Sequence, residues 1–366
     1  MLELITPSLE DLWFRESLMA DEETMSYNHA WGGTIPFPKE EWQDWYDYWI
    51  VNHDNRRFYR YLKDENGFVG EIAYHYDREY DGYVADVIIF SKYRGKGYGA
   101  EGLKLLCSAA KENGITVLYD DIAIDNQAIA LFLKQGFYED YRTEEKIVLK
   151  KELIDYSVYW EKCWAEEDAD ELHGYLDGWN GYSGTEIEIF KEYDVKKVCD
   201  AACGFGAHTL ALASNGFEVS AFDISKGAVE LTTGALKKYG YNNVDLKVAG
   251  LAATGYEDDT FDAVTAYAVI DHLTEEDSRA ALDELMRIVK PNGLVLLSFD
   301  MPDEEDFTAD HDELPDGSMI YKDDSSRNGM LFRPYNRDRI ESLVHGYTIL
   351  RAWNSKKGDS FVILQK

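Results

Sequence analysis

Apolar residues recur along this chain in two regimes, and the change from one to the other divides it. The first half opens on an apolar run at 2–5 and carries further short runs at 58–62, 67–75 and 83–90. These are rich in β-branched and aromatic residues, as strands are. The helix after the first run starts either on Thr6, with Pro7 as its first residue, or on Ser8, with Asp11 closing a capping box. Trp42, Trp45 and Trp49 follow the spacing i, i+3, i+7, which puts all three on one helical face as a core stripe. A glycine-rich loop at 93–99 leads into a predicted helix at 100–113. Strand 117–124, helix 127–135 and β structure over 138–149 then complete this half.

From 195 onward the pattern alternates strictly. Strands are predicted at 195–201, 218–222, 244–248, 261–267 and 294–299, with helices at 207–215, 226–239 and 275–289 between them. Such alternation implies a parallel, doubly wound sheet whose ligands sit at the carboxyl ends of the strands. A polar stretch at 301–335 interrupts it, and strands at 347–353 and 360–364 close the chain. The fold class is therefore α/β in two domains, 1–152 with a mixed α+β sheet and 157–366 with a Rossmann-like sheet. The junction at 150–156 has no Pro/Gly-rich linker.

The 366 residues suit two domains better than one. Their net charge of −33 is spread over both halves: residues 1–150 hold 16 Lys/Arg against 28 Asp/Glu, and the rest hold 21 against 42. Such a surface repels nucleic acid and anionic lipid. It favours cationic substrates such as amines, and it serves solubility equally well. No apolar run has the length of a membrane span, and the first residues lack the order of a secretory leader, so a cytoplasmic location is expected. Cys107, Cys163, Cys199 and Cys203 form no disulfide framework and read as structural thiols. The C-x3-C spacing of the last two has no partners for a metal.

The segment Tyr93-Arg94-Gly95-Lys96-Gly97-Tyr98-Gly99 stands between an apolar strand and a helix. Its glycines let the backbone curl so that amide hydrogens converge at the helix start, a site for a diphosphate, with Arg94 and Lys96 adding charge. It resembles the Arg-x-x-Gly-x-Gly loop of the GNAT superfamily of N-acetyltransferases. Residues 124–137 are similar to the family's second signature, with two departures. Asp125 stands at the usual Asn position, Asn126 following, and Phe132 replaces the Tyr that often protonates the departing thiolate. The resemblance implies acetyl-CoA as cofactor, bound by Arg94, Gly95, Lys96, Gly97, Tyr98 and Gly99, with the acetyl group held along 88–90, including Ile89. It implies a general base on the neighbouring strands, where Glu71 and Asp86 are the candidates, and an acceptor pocket lined by Tyr27 and Trp31. Tyr138 or water is left to protonate the thiolate.

The second loop, Asp200-Ala201-Ala202-Cys203-Gly204-Phe205-Gly206, also joins a strand to a helix. A dinucleotide site needs a third glycine where Thr209 stands, and it needs nearby positive charge. The loop instead resembles motif I of class I methyltransferases, with Ala202 replacing the first glycine. Phe261-Asp262-Ala263-Val264 and Leu285-Met286-Arg287-Ile288-Val289-Lys290-Pro291-Asn292-Gly293 are similar to the family's later motifs. The resemblance implies S-adenosylmethionine as cofactor. Asp200, Cys203, Gly204 and Gly206 would bind its methionine end, Asp223 its ribose, and Ile224 and Leu251 its adenine, with Tyr175, Trp179 and Tyr182 as a lid. His272, His311 and Tyr335 are the acceptor-facing candidates, and Asp262 reads as structural.

Together these expectations describe a bifunctional transferase modifying a small molecule, with an amine as the expected acceptor. The rivals are a methyltransferase with an inactive or regulatory first half and a non-catalytic sensor of both donors.

Overall fold

In a computed structural model of the chain, every residue is described except Met1, Glu166 and 323–325, together with the side chains of Ala30, Trp31, Ala169, Asp170 and His173. The chain divides into two units, Met1–Asp155 and Tyr156–Lys366.

In the first unit β1 (Glu3–Ile5) leads to α1 (Trp13–Ala20) through a short 3-10 turn. Ser8, not Thr6, begins this helical stretch, in a reciprocal box with Asp11. The tryptophan stripe lies on α2 (Trp42–Tyr46) and its π-helical continuation, packed with Phe37, Tyr59 and Tyr61. Then come β2 (Arg57–Asp64), β3 (Gly67–Asp77), β4 (Gly82–Ile89), α3 (Tyr98–Glu112), β5 (Val117–Ala123), α4 (Ile129–Lys134), β6 (Tyr138–Arg142) and β7 (Lys146–Glu152). The sheet order is β1-β2-β3-β4-β5-β7-β6. Every neighbouring pair is antiparallel except β4 and β5. Leu103, Leu106 and Ala110 of α3 pack into one core with Ile72 and Leu118 of the sheet.

The second unit opens on three helices that the periodicity does not predict, α5 (Tyr156–Ala165), α6 (Ala169–Leu176) and α7 (Thr185–Glu192); of the expected lid residues only Tyr175 lies on one of them. The alternation follows as expected: β8 (Lys197–Ala201), α8 (Ala207–Ser214), β9 (Glu218–Asp223), α9 (Lys226–Lys238), β10 (Asp245–Val248), β11 (Phe261–Ala266), α10 (Glu275–Ile288) and β12 (Val289–Phe299). The segment 290–293, between the predicted helix and strand, is a bulge inside β12, between the pairs Phe261↔Val289 and Ala263↔Leu294. The polar stretch holds α11 (Glu304–Thr308) and a small sheet of β13 (His311–Glu313), β14 (Met319–Tyr321) and β15 (Leu331–Phe332). After α12 (Arg337–Leu343), β16 (Thr348–Asn354) and β17 (Ser360–Gln365) return to the large sheet.

That sheet has the order β10-β9-β8-β11-β12-β17-β16. It is parallel from β10 to β12, and its last two strands run antiparallel. The order reverses at β8, so a crevice opens past the carboxyl ends of β8 and β11. Arg287 explains one recurring motif position structurally: it donates to Glu284, Asp258 and the Tyr256 carbonyl, tying α10 to the loop before β11. Among the described residues, no helix is long and apolar enough to cross a membrane.

Candidate active sites

The first site begins where β4 and β5 part. They pair only at Tyr83↔Leu118 and Val84↔Tyr119, and their remaining lengths border a cleft of about 940 Å³. Asp86, Ile88 and Ile89 of β4, Asp120 of β5 and the loop at 93–99 line it. Gly95 and Gly97 are left-handed, at φ +76° and +85°, and Gly97 directly precedes α3. This brings the first turn of α3, whose amides have no intrahelical acceptor, to the cleft.

The Arg94 side chain is not free to face a ligand. Its guanidinium donates to the carbonyls of Glu23 and Thr24 at 3.1 and 2.6 Å. Ser91 completes the clamp, its amide donating to Thr24 Oγ1 and its hydroxyl to Asp21, each at 2.9 Å. Lys96 Nζ lies 5.3 Å from the Tyr93 ring, and the Tyr98 hydroxyl donates to Asp64.

The two base candidates fare differently. Asp86 lines the cleft with His75 Nδ1 3.6 Å away. Glu71 does not: it is buried away from the lining, paired with Arg15 and accepting the Tyr59 hydroxyl. A buried carboxylate locked to its own cation has no reason to capture a substrate proton, so Glu71 reads as structural. Asp120 was not anticipated. Burial, then the neighbouring Asp86 and Asp121, push its carboxyl well above the usual range. The only hint was Asp120-Asp121 standing in an otherwise apolar strand. Tyr27 lines the cleft, and the Trp31 side chain lies outside the described residues. Phe132 is a cleft residue too, whereas the Tyr138 hydroxyl is spent on Glu152 at 2.6 Å.

In the second unit the loop at 202–206 follows β8. Ala202 is left-handed at φ +58°, a conformation that suits the glycine it replaces, and Gly206 precedes α8 at φ +88°. Asp200 is 1% exposed, and Thr209 and Thr265 donate to it at 2.6 and 2.9 Å. It therefore supports the loop from inside and does not face a ligand. Cys203 is buried, with Thr232 Oγ1 donating to its sulfur, and burial raises its thiol pKa well above normal.

Asp223 ends β9. Its carboxylate accepts the amides of Gly204 and Ser225, each at 2.9 Å, and burial keeps its pKa raised against those donors. The Ala249 amide donates to the Asp223 carbonyl, which brings Ile224 and the 249–251 segment with Leu251 to the same edge. Over the loop lies α5, which the sequence did not place there. Its Glu161 accepts Ser225 Oγ at 2.7 Å, and Trp164 approaches Gly204 closely. Tyr156, Trp160 and Trp164, at i, i+4, i+8, were the signal available for it. Trp160 stacks on Trp164 and meets the His272 ring edge-on at 5.0 Å. Of the expected lid, Tyr175 touches Phe205, and Trp179 touches Tyr182 and His208.

His272 Nδ1 lies 3.0 Å from the Leu331 carbonyl, so it carries the hydrogen and Nε2 is left as an acceptor. Asp300, past the end of β12, has its pKa pushed up to about 6 by burial and then by Asp271. His311 is placed elsewhere, on the small sheet, with Nδ1 on the Ala309 carbonyl and its ring against Tyr321. Tyr335 is a core residue, its ring on Phe299 and its hydroxyl on Ser278. Among the described residues no cluster could hold a metal ion.

Residues 17–137 match the acetyltransferase (GNAT) family, and residues 198–293 match a methyltransferase domain. A GNAT acetyltransferase domain precedes a methyltransferase domain in this chain. Demethylmenaquinone methyltransferase of Clavibacter sepedonicus is 35% identical over 108 residues, 29% of this chain and 42% of that protein. Glycine/sarcosine N-methyltransferase of Aphanothece halophytica is 31% identical over 148 residues, 37% of this chain and 55% of that protein. The chain spans about half the length of these curated relatives. A crystal structure of a protein from Pyrococcus horikoshii is 19% identical, covering 58% of this chain and 99% of that one, with a TM-score of 0.44.

The methyltransferase domain implies S-adenosylmethionine and the GNAT domain acetyl-CoA. The residues present fit both. The GNAT cleft offers a helix start with open space at Gly97, where a Cβ would meet nothing within 4 Å. The methyltransferase loop offers Asp223, whose two oxygens each take one amide and keep a further lone pair.

Proposed function

We propose that this chain is a bifunctional small-molecule transferase that moves an acetyl group in residues 1–152 and a methyl group in residues 157–366. The observation that carries this reading is that each unit has a glycine-tipped turn between a strand and a helix, beside strand ends bearing ionisable groups. An amine is the acceptor that suits the charge. A net charge of −33 draws cations, and Asp86 lines the cleft.

In the GNAT unit, acetyl-CoA supplies an activated acyl group. The loop amides at 95–99 hold its diphosphate, and the β4 edge around Ile89 aligns the acetyl carbonyl. Asp86, steadied by His75, accepts the ammonium proton directly or through water. Phe132 has no proton to give, so water protonates the thiolate. In the methyltransferase unit, S-adenosylmethionine supplies the methyl group. Asp223 holds the ribose and Ile224 and Leu251 border the adenine, while His272 Nε2 takes the proton released by the acceptor. Positioning supplies most of the acceleration in such a displacement. The acidic surface charge suits a cytoplasmic enzyme. The one feature favouring a methyltransferase with a silent first half is Phe132.

Calorimetric titration of the intact chain tests the cofactor assignments. Desulfo-CoA and S-adenosylhomocysteine should each bind once per chain. Asp223→Ala should weaken only the second, by about 2–3 kcal/mol. Undiminished S-adenosylhomocysteine binding by that variant removes Asp223 from the site.

A further inference from the structure

The methyltransferase unit contains a buried charge array that the proposed chemistry does not use. His208, the second residue of α8, is 5% exposed. Its Nδ1 lies 3.5 Å from Asp200 and its Nε2 3.6 Å from Glu186, themselves 1% and 4% exposed. Tyr267 stacks obliquely on the ring at 4.9 Å, and Trp179 meets it edge-on at 6.3 Å. Tyr182 approaches Glu186 beside Gly184, where a Cβ would meet both carboxylate oxygens at 2.5 Å and the Tyr182 hydroxyl at 2.7 Å. The charged groups facing His208 are thus Asp200 from β8 and Glu186 from α7. The tyrosine hydroxyls are neutral, since burial first of all raises their pKa values.

A neutral imidazole has one hydrogen and one lone pair, so between two carboxylates it must aim a lone pair at one of them. Only the imidazolium can offer a donor to each side. The same proton reduces two buried negative charges to a net of one, and leaving both carboxylates unpaired at that depth is costly. The array also has a location. Asp200 is the last residue but one of the strand before the loop at 202–206, and His208 and Thr209 lie in the first turn of the helix after it. Asp200 therefore joins the two flanks of the loop whose Gly204 amide meets Asp223.

We propose that His208 is a positioning residue, held as an imidazolium between Asp200 and Glu186, and that this array sets the shape of the S-adenosylmethionine loop. Donor binding in this unit then depends on the His208 proton. The inference rests on the methyltransferase site assignment above. Geometry and electrostatics agree: burial opposes the charged ring, but the flanking carboxylates of Asp200 and Glu186 outweigh it and lift the imidazole to about 9.

The test uses the intact chain labelled with 15N-histidine. One of its eight histidines should keep imidazolium shifts on both nitrogens at pH 8, and His208→Gln should remove that signal alone. S-adenosylhomocysteine affinity, measured by calorimetry, should fall about tenfold between pH 8 and 10 in the parent. In His208→Gln it should be about tenfold weaker at pH 7.5 and flat with pH. Glu186→Gln keeps the ring and should shift the signal's titration to lower pH, which separates loss of the proton from loss of folding. A neutral His208 at pH 7.5, or a His208→Gln protein that binds with parental affinity and pH profile, overturns the proposal. If the parent binds no S-adenosylhomocysteine at any pH, the site assignment fails and the array's role falls with it.

Discussion

Gly97 and Gly206 hold the same place in their respective units: each is the left-handed residue, at φ +85° and +88°, immediately before the helix that follows the glycine loop. They differ in surroundings. A Cβ at Gly97 would meet nothing within 4 Å, whereas at Gly206 it would lie 2.9 Å from the Thr232 side chain and 3.1 Å from its Cα.

Gly97→Ala should therefore cost only the left-handed conformation, about 1 kcal/mol of stability, while blocking backbone approach and weakening desulfo-CoA binding at least tenfold. Gly206→Ala should add a collision and destabilise the second unit by about 2–4 kcal/mol in total. Chemical denaturation with calorimetry distinguishes them. Equal stability losses would mean that Thr232 moves aside freely.

Arg94→Ala gives a less obvious outcome. A free loop arginine would act through charge, and its loss would flatten the salt dependence of cofactor binding. Here the guanidinium serves the carbonyls of Glu23 and Thr24. The variant should lose about 1–3 kcal/mol of stability, and its weaker desulfo-CoA binding should keep the parental salt slope. A slope reduced by one ionic contact would return Arg94 to the diphosphate.

What the sequence made legible was local. The two glycine loops, the strand–helix alternation and the Ser8 box are each encoded within a few neighbouring residues. What it hid depends on distant partners. Nothing near Glu71 announces that Arg15, 56 positions earlier, neutralises it, and nothing near Arg94 announces the Glu23 and Thr24 carbonyls. Asp200 misled for a related reason. β8 is buried on both faces, so the alternation that tells inside from outside in a half-exposed strand is missing. His272 was legible as a candidate, but its tautomer depends on Leu331, 59 residues on.

Acid should act on the second unit through Glu284. Hydrogen bonds from Arg287 outweigh burial and, with the Thr254 contacts, lower its pKa from 4.5 to about 2. A carboxyl depressed in the folded state contributes stability that is full above the unfolded value, and it is lost as pH falls through the folded one. Because Arg287 is partly exposed, the contribution is about 1–2 kcal/mol. Glu284→Gln should lower the melting temperature at pH 7, and the gap to the parent should narrow steadily below pH 4.5. A gap independent of pH would mean that the loss is not electrostatic.

The division near residue 155 predicts two fragments that each unfold cooperatively. Tyr156 is tied to the second unit, accepting the Thr274 amide at 3.2 Å and donating to Asp277. A fragment starting at residue 154 should therefore melt higher than one starting at 157. Identical melting curves would place Tyr156 outside the folded unit.

The most direct measurement is turnover by the intact chain with both donors and a panel of primary amines, polyamines and aminoglycosides, following free CoA and S-adenosylhomocysteine together. A bifunctional transferase must release both products above the acceptor-free rate. Gly97→Val should abolish the CoA signal alone and Asp223→Ala should suppress the S-adenosylhomocysteine signal alone. Binding of both donors with neither product released across the panel would contradict the account and leave a donor-sensing protein in its place.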